Sequence, residues 1–186
     1  AFSVENAGDL TFAFNDPNST SGFLVPSYYV FAQKGVNPEE AFSELVFAGS
    51  HEATGLAVAE NQVDVATNNS ENLTRLEETA PDALENIQII WTSPIIPSDP
   101  LAYRKDLPEC LKDAIKDFAY SFDDEEVLSG LGWQGLDPAA DADWNTIREL
   151  EYGKQLLEVQ NDDTLSDEDR QKQIDEINQK LEAVQS

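Results

Sequence analysis

The sequence predicts an α/β protein built around a mostly parallel sheet. Three observations carry this. Short apolar runs recur along the first half of the chain, helical patterns fill the gaps between them, and small or polar residues close each run. The runs are Leu10–Phe14, Leu45–Ala48, Val63–Thr67 and Ile87–Trp91, each the length of a short strand. Helices are expected at about 21–33, 38–44, 52–61 and 70–79, the second opened by Asn37-Pro38.

From Trp91 the texture changes. Pro94, Pro97, Pro100 and Pro108 favour extended chain and turns, so residues 92–108 read as a crossing segment. A helix is expected to begin near Pro108, at a first-turn position where the missing N–H costs little. Its residues Leu111, Ile115, Phe118 and Phe122 share one face. Near the end, Ser166 with Asp169 resembles a capping box. The charged helix it opens carries a narrow stripe of Ile174, Ile177, Leu181 and Val184. A stripe this thin suits docking on another helix, either of a second copy or of its own lobe.

The chain has 186 residues, 40% of them hydrophobic, enough for a sizeable core. No apolar run is long enough to cross a bilayer, and Ala1 to Asp9 show no signal-peptide pattern. Cys110 is the single cysteine, and no metal-ligand spacing of Cys and His occurs, so neither a disulfide, a metal nor a cofactor is expected. With 11 basic and 37 acidic residues the net charge is −26, which repels nucleic acid and anionic lipid. That acidity reads first as a solubility adaptation, for instance to high salt, and second as a cation-binding surface. An anion would gain nothing from this field, so any anion site has to be built locally.

The polar clusters follow the apolar runs. Asn15 to Gly22 follows the first, Gly49-Ser50-His51 the second, Asn68 to Glu71 the third, and Asp99 lies beyond the fourth. In open α/β sheets, ligands bind outside the carboxyl ends of the strands. The Ser19-Thr20-Ser21-Gly22 turn leads into a helix, whose free N–H groups and dipole favour an anion. Three hydroxyls add donors, although plain N-capping explains Ser and Thr there equally well. His51, the single histidine, is either a structural residue or a further donor to the same anion. Glu71 and Asp99 are two acids among many. At an anion-binding edge they make sense if the ligand also bears a cation, such as the ammonium of an aminoalkylphosphonate. Tyr28, Tyr29 and Phe31 are expected to pack their helix on the sheet, while Trp91 and Tyr103 are candidates to wall the cleft.

The sequence resembles the periplasmic phosphonate-binding proteins of ABC phosphonate importers. The likeness rests on Asp16 to Pro26 (DPNSTSGFLVP), Ala48 to Glu52 (AGSHE), Val63 to Asn69 (VDVATNN) with Glu71-Asn72, and Ile89 to Pro94 (IIWTSP). It continues through Asp99-Pro100, Arg104 to Leu107, Leu131-Gly132-Trp133 and Ile147 to Leu150, covering nearly all of residues 11–150 in order. The resemblance implies a type II periplasmic-binding-protein-like fold. Its three-layer αβα lobe would occupy residues 1–95, a crossing segment and part of the other lobe 96–150, and a C-terminal helical extension 151–186. Ser19, Thr20, Ser21 and His51 would hold the phosphonate, and Glu71 with Asp99 the amine of 2-aminoethylphosphonate. Family members carry a further stretch before the point where this sequence begins, so the chain is expected to be a fragment with apolar surface exposed.

The expected function is therefore a periplasmic solute-binding component that delivers a phosphonate to an ABC transporter permease. It would not be an enzyme, and its C-terminal helix could serve homodimerisation. The alternatives are a phosphite or phosphate binder of the same family, a hydrolase using a serine near His51, and an interaction protein acting through its tail. The hydrolase reading lacks a G-x-S-x-G elbow and a metal cluster.

Overall fold

Three strands, β1 (Thr11–Phe14), β2 (Glu44–Phe47) and β3 (Val65–Ala66), form a parallel sheet in the order β2-β1-β3. The structure, a computed structural model, describes residues 3–185. Thr11 pairs with Glu44 and Phe14 with Phe47 on one side of β1, while Phe12 pairs with Val65 on the other. As the central strand, β1 is covered on both faces, which is why it reads as an unbroken apolar run. Phe12 and Phe14 point to one side, into a cluster with Val4, Phe31 and Phe42. Phe12 and Phe14 meet edge to face with centroids 4.9 Å apart, a favoured aromatic geometry.

The α-helices are α1 (Pro38–Ala41), α2 (His51–Ala59), α3 (Ser70–Thr79), α4 (Pro81–Leu84), α5 (Glu109–Ser121), α6 (Glu125–Gly130), α7 (Asn145–Asn161) and α8 (Asp167–Gln185). Asn37 caps α1, Ser50 caps α2 and Asn69 caps α3, each accepting a backbone N–H of the first turn. The chain divides into two compact units, one of residues 1–96 with 145–186 and one of residues 97–144.

Two expectations change. The helix expected over 21–33 is present as wide π turns over Thr20–Leu24 and Ser27–Phe31 and a tighter turn over Ala32–Lys34. Leu24 N–H reaches back five residues to the Ser19 carbonyl at 3.0 Å. Pro26 interrupts the regular ladder because it has no N–H to give, and turns of this width occur often at functional sites. The fourth strand, Ile87–Trp91, does not form. Among the described residues no strand pairs with this segment, and Ile89, Ile90 and Trp91 remain exposed. Without a neighbour to complete its hydrogen bonds, an apolar run has no ladder to join.

The tail forms the helix that Ser166 and Asp169 announce, with Asp169 N–H donating to Ser166 Oγ at 3.1 Å. Its stripe packs within the chain. Ile177 is buried, α8 lies along α7, and Asn145 Nδ2 donates to the Val184 carbonyl at 2.7 Å. Helix α7, in turn, buries Leu150 against Leu24 and Val25 of the turn that follows β1.

Candidate functional site

Because the three strands are parallel, their carboxyl ends and the loops that follow lie at one edge of the sheet. The ladder runs on into those loops. Gly49 N–H donates to the Asn15 carbonyl at 2.6 Å, and Thr67 N–H to the Ala13 carbonyl at 3.0 Å. The loop after β1 is braced from within. Asn15 is buried, its side-chain oxygen accepts the Asp16 N–H at 2.6 Å, and Asp16 in turn accepts the Asn18 N–H at 2.8 Å. A methyl group at Gly22 would overlap the Asn15 carboxamide, so only glycine lets these two segments meet.

The hydroxyl turn divides its labour. Ser19 is the cap: its Oγ accepts the Gly22 N–H at 3.0 Å. Ser21 faces the second loop, where its Oγ lies 3.1 Å from His51 Nε2. Thr20 and Ser19 both line a cleft of about 320 Å³, together with Pro17, Phe23, Glu151 and Lys154. Neither Ser21 nor His51 lines that cleft.

His51 opens α2 and is half-buried. Burial pushes its imidazole below the ordinary histidine range, and the nearby Glu71 carboxylate draws it partway back. Its Nδ1 is buried with no hydrogen-bond partner among the described residues. A proton on Nδ1 would therefore be an orphaned buried donor, which proteins avoid. Assigning the proton to Nε2 makes the ring the donor to Ser21 Oγ and leaves the Ser21 hydroxyl free to donate outward; the other tautomer reverses the bond.

The structure thus brings Ser19, Ser21, His51 and Glu71 to one edge. Glu71 lies in the first turn of α3, exposed, with Ser70 Oγ 3.4 Å away. Asp99 belongs to the other unit, in an exposed stretch without regular structure, as does Tyr103. Trp91 packs at a tilt on Tyr29 with centroids 6.3 Å apart. No group of three or more His, Cys, Asp or Glu residues able to hold a metal occurs among the described residues.

Four polar residues with no role assigned from sequence lie directly behind this edge: Thr54, Thr67, Asn68 and Asn72. Thr67 Oγ1 donates to the Gly22 carbonyl at 2.7 Å, and Asn68 Nδ2 to the His51 carbonyl at 2.9 Å. Thr54 had a readable signal, since it interrupts a small and apolar stretch, Ala53 to Ala59, that has to be buried.

The comparisons agree with this architecture. A family model described as "ABC transporter, phosphonate, periplasmic substrate-binding protein" matches residues 2–144. The "Phosphonates-binding periplasmic protein" of Escherichia coli (strain K12) is 44% identical over 178 residues, which is 94% of this chain and 52% of that protein. A crystal structure of a binding protein component of an ABC phosphonate transporter from Pseudomonas aeruginosa superposes with a TM-score of 0.91 at 40% identity. It covers 98% of this chain and 63% of that one. The chain therefore spans about half the length of the curated relative and under two thirds of the solved one. With its parallel sheet and this match, the fold is that of a periplasmic binding protein. By that match over most of its length, the chain belongs to the family of phosphonate periplasmic substrate-binding proteins of ABC transporters.

Proposed function

We propose that this chain captures a phosphonate for an ABC importer, and that the ligand is 2-aminoethylphosphonate. The observation that carries the reading is the 3.1 Å approach of Ser21 Oγ to His51 Nε2 at the edge where the three parallel strands end. It leaves a hydroxyl donor beside a helix terminus, with no Lys or Arg in the turn. Ser19 and Thr20 complete the phosphonate-binding set, and neutral donors permit release as well as capture. Glu71 and Asp99 are assigned to the amine by resemblance, and Glu71's place at this edge is consistent with a ligand that carries both charges. The work is binding, not turnover, in the periplasm, with a transporter permease as the receiving partner. A homodimer would have to form through the outer face of α8, because its apolar stripe lies along α7 of the same chain, and sedimentation of the whole chain tests it.

Calorimetric titration with 2-aminoethylphosphonate and with phosphite tests the ligand assignment. The aminoalkyl ligand should bind at least about tenfold more tightly, the worth of one charge-assisted contact. Equal affinities would remove the amine role of Glu71 and Asp99 and leave a phosphite or phosphate binder.

A further inference from the structure

Ser21 and His51 face each other across two loops that the Gly49 N–H to Asn15 carbonyl bond also ties at 2.6 Å, and the backbone beneath each side chain is held from behind. Behind the hydroxyl turn, Pro26 stands four residues after Gly22 and has no N–H for that carbonyl's usual helical bond. The Thr67 hydroxyl donates to the same carbonyl at 2.7 Å, from the end of β3. Behind α2, the His51 carbonyl receives Asn68 Nδ2 at 2.9 Å and Asn72 Nδ2 at 3.1 Å. Thr54, fully buried, shares its one hydroxyl proton between the His51 carbonyl at 2.9 Å and the Thr67 carbonyl at 2.8 Å. Space for this junction comes from Gly55, where an added methyl would lie 2.8 Å from Leu76 and 3.1 Å from Asn68 Nδ2. A glycine inside a helix is unfavourable without such a reason.

The geometry points to Thr67 and Asn68 as positioning residues of the anion site: Thr67 fixes the Gly22 carbonyl and Asn68 the His51 carbonyl, so that Ser21 Oγ and His51 Nε2 stay at 3.1 Å. Neither needs to touch the ligand. A buried network in which each donor has an acceptor rigidifies what it holds, and a site held rigid beforehand binds more tightly. The effect on affinity rests on the phosphonate reading above, whereas the effect on His51 does not.

The test uses the whole chain and its single histidine. Thr67→Val keeps the side-chain shape and removes the hydroxyl, and Thr67→Ser restores it. Asn68→Ala is the second probe, should the valine variant fail to fold. In the ligand-free protein, nitrogen-15 shifts and the titration midpoint of the His51 ring are read by NMR, alongside the melting temperature. Thr67→Val and Asn68→Ala should both move the His51 ring signals, and Thr67→Ser should return them to the wild-type position. Affinity for 2-aminoethylphosphonate should follow, falling about tenfold in Thr67→Val, the loss of one hydrogen bond's worth of positioning, and recovering in Thr67→Ser. A lower melting temperature with unmoved ring signals would overturn the proposal and leave a structural role only. A serine variant whose ring signals stay with those of valine would overturn it too. A wild-type chain that binds no phosphonate would sink the functional reading, and the ring signals would still decide the positioning.

Discussion

The two units hide apolar surface very differently. The unit containing the sheet encloses a phenylalanine cluster, with Phe14 and Phe31 each 1% exposed and Phe12 and Phe42 little more. Among the described residues of 97–144, the buried hydrophobics are Ala119 and Leu128, while Leu101, Phe118, Leu131 and Trp133 lie open. Helix α5 has the amphipathic pattern its sequence promised, yet Leu111 and Phe118 on its apolar face are exposed. Amphipathicity gives a helix a face to bury; it does not supply the surface that buries it. The sheet unit therefore carries its own stability, and residues 97–144 contribute little to theirs.

The largest effect that could break this contrast is a truncation in the aromatic core. Phe14→Ala removes a ring packed on Phe12, Phe23, Phe31 and Phe47 and should cost about 3–5 kcal/mol in urea denaturation. The same change at Phe118, 68% exposed, should cost about 0.5 kcal/mol or less. Similar losses at both positions would mean that the units share one core, and the contrast would fail.

Helix caps offer a finer comparison. Asn69 accepts the Asn72 N–H at 2.8 Å to open α3, and Asp124 accepts the Val127 N–H at 3.1 Å to open α6. The local chemistry is the same, so each cap is worth about 1 kcal/mol to its own helix. Asn69→Ala should lower global stability by about that amount. Asp124→Ala should leave the global transition in place and speed hydrogen exchange over residues 125–131, because that unit opens locally. A global loss from Asp124→Ala would show that the two units unfold together.

The sequence made the sheet legible where local and tertiary signals agree. β1, β2 and β3 are apolar runs closed by polar loops, and the capped helices α2 and α3 begin where Ser50 and Asn69 say they should. It misled at Ile87–Trp91, which has strand composition but no strand beside it, because pairing is a property of the neighbour as well as the run. The hydroxyl turn was visible as a donor cluster, and Ser21 and His51 were both expected at the site. Their direct contact was not visible, since it depends on Ser19 serving as the cap while Ser21 turns the other way. The supporting shell was the least readable part. Thr67 looks like the end of an apolar run until the Gly22 carbonyl, left by Pro26 without its usual donor, is found above it.

The smallest expected effect is also the most specific, because it isolates one ring in the better-buried unit. The pKa of His51 is held below the ordinary value of 6.5, first by burial, with Glu71 opposing. Of the elements packed on α2, β3 bears no charge at Val65 and Ala66. Asp82 of α4 and Glu52 of α2 itself are exposed, and Glu71 of α3 is the carboxylate whose charge reaches the ring. A histidine with a depressed folded pKa takes up its proton less readily folded than unfolded. Stability from His51 is therefore complete above about pH 6.5, the unfolded value. It declines as pH falls from there through the lower folded pKa, and then levels off. Lowered carboxylates such as Asp64 and Asp162 titrate below their own ordinary values, beneath the upper part of this window. His51→Gln should flatten the stability profile just below pH 6.5 and leave the more acidic limb unchanged. A bound phosphonate should act the other way, since an anion beside Ser21 favours the charged ring and raises the His51 titration midpoint. A midpoint above the ordinary value in the free protein would show that Glu71 outweighs burial, and the ring would then meet its ligand already protonated.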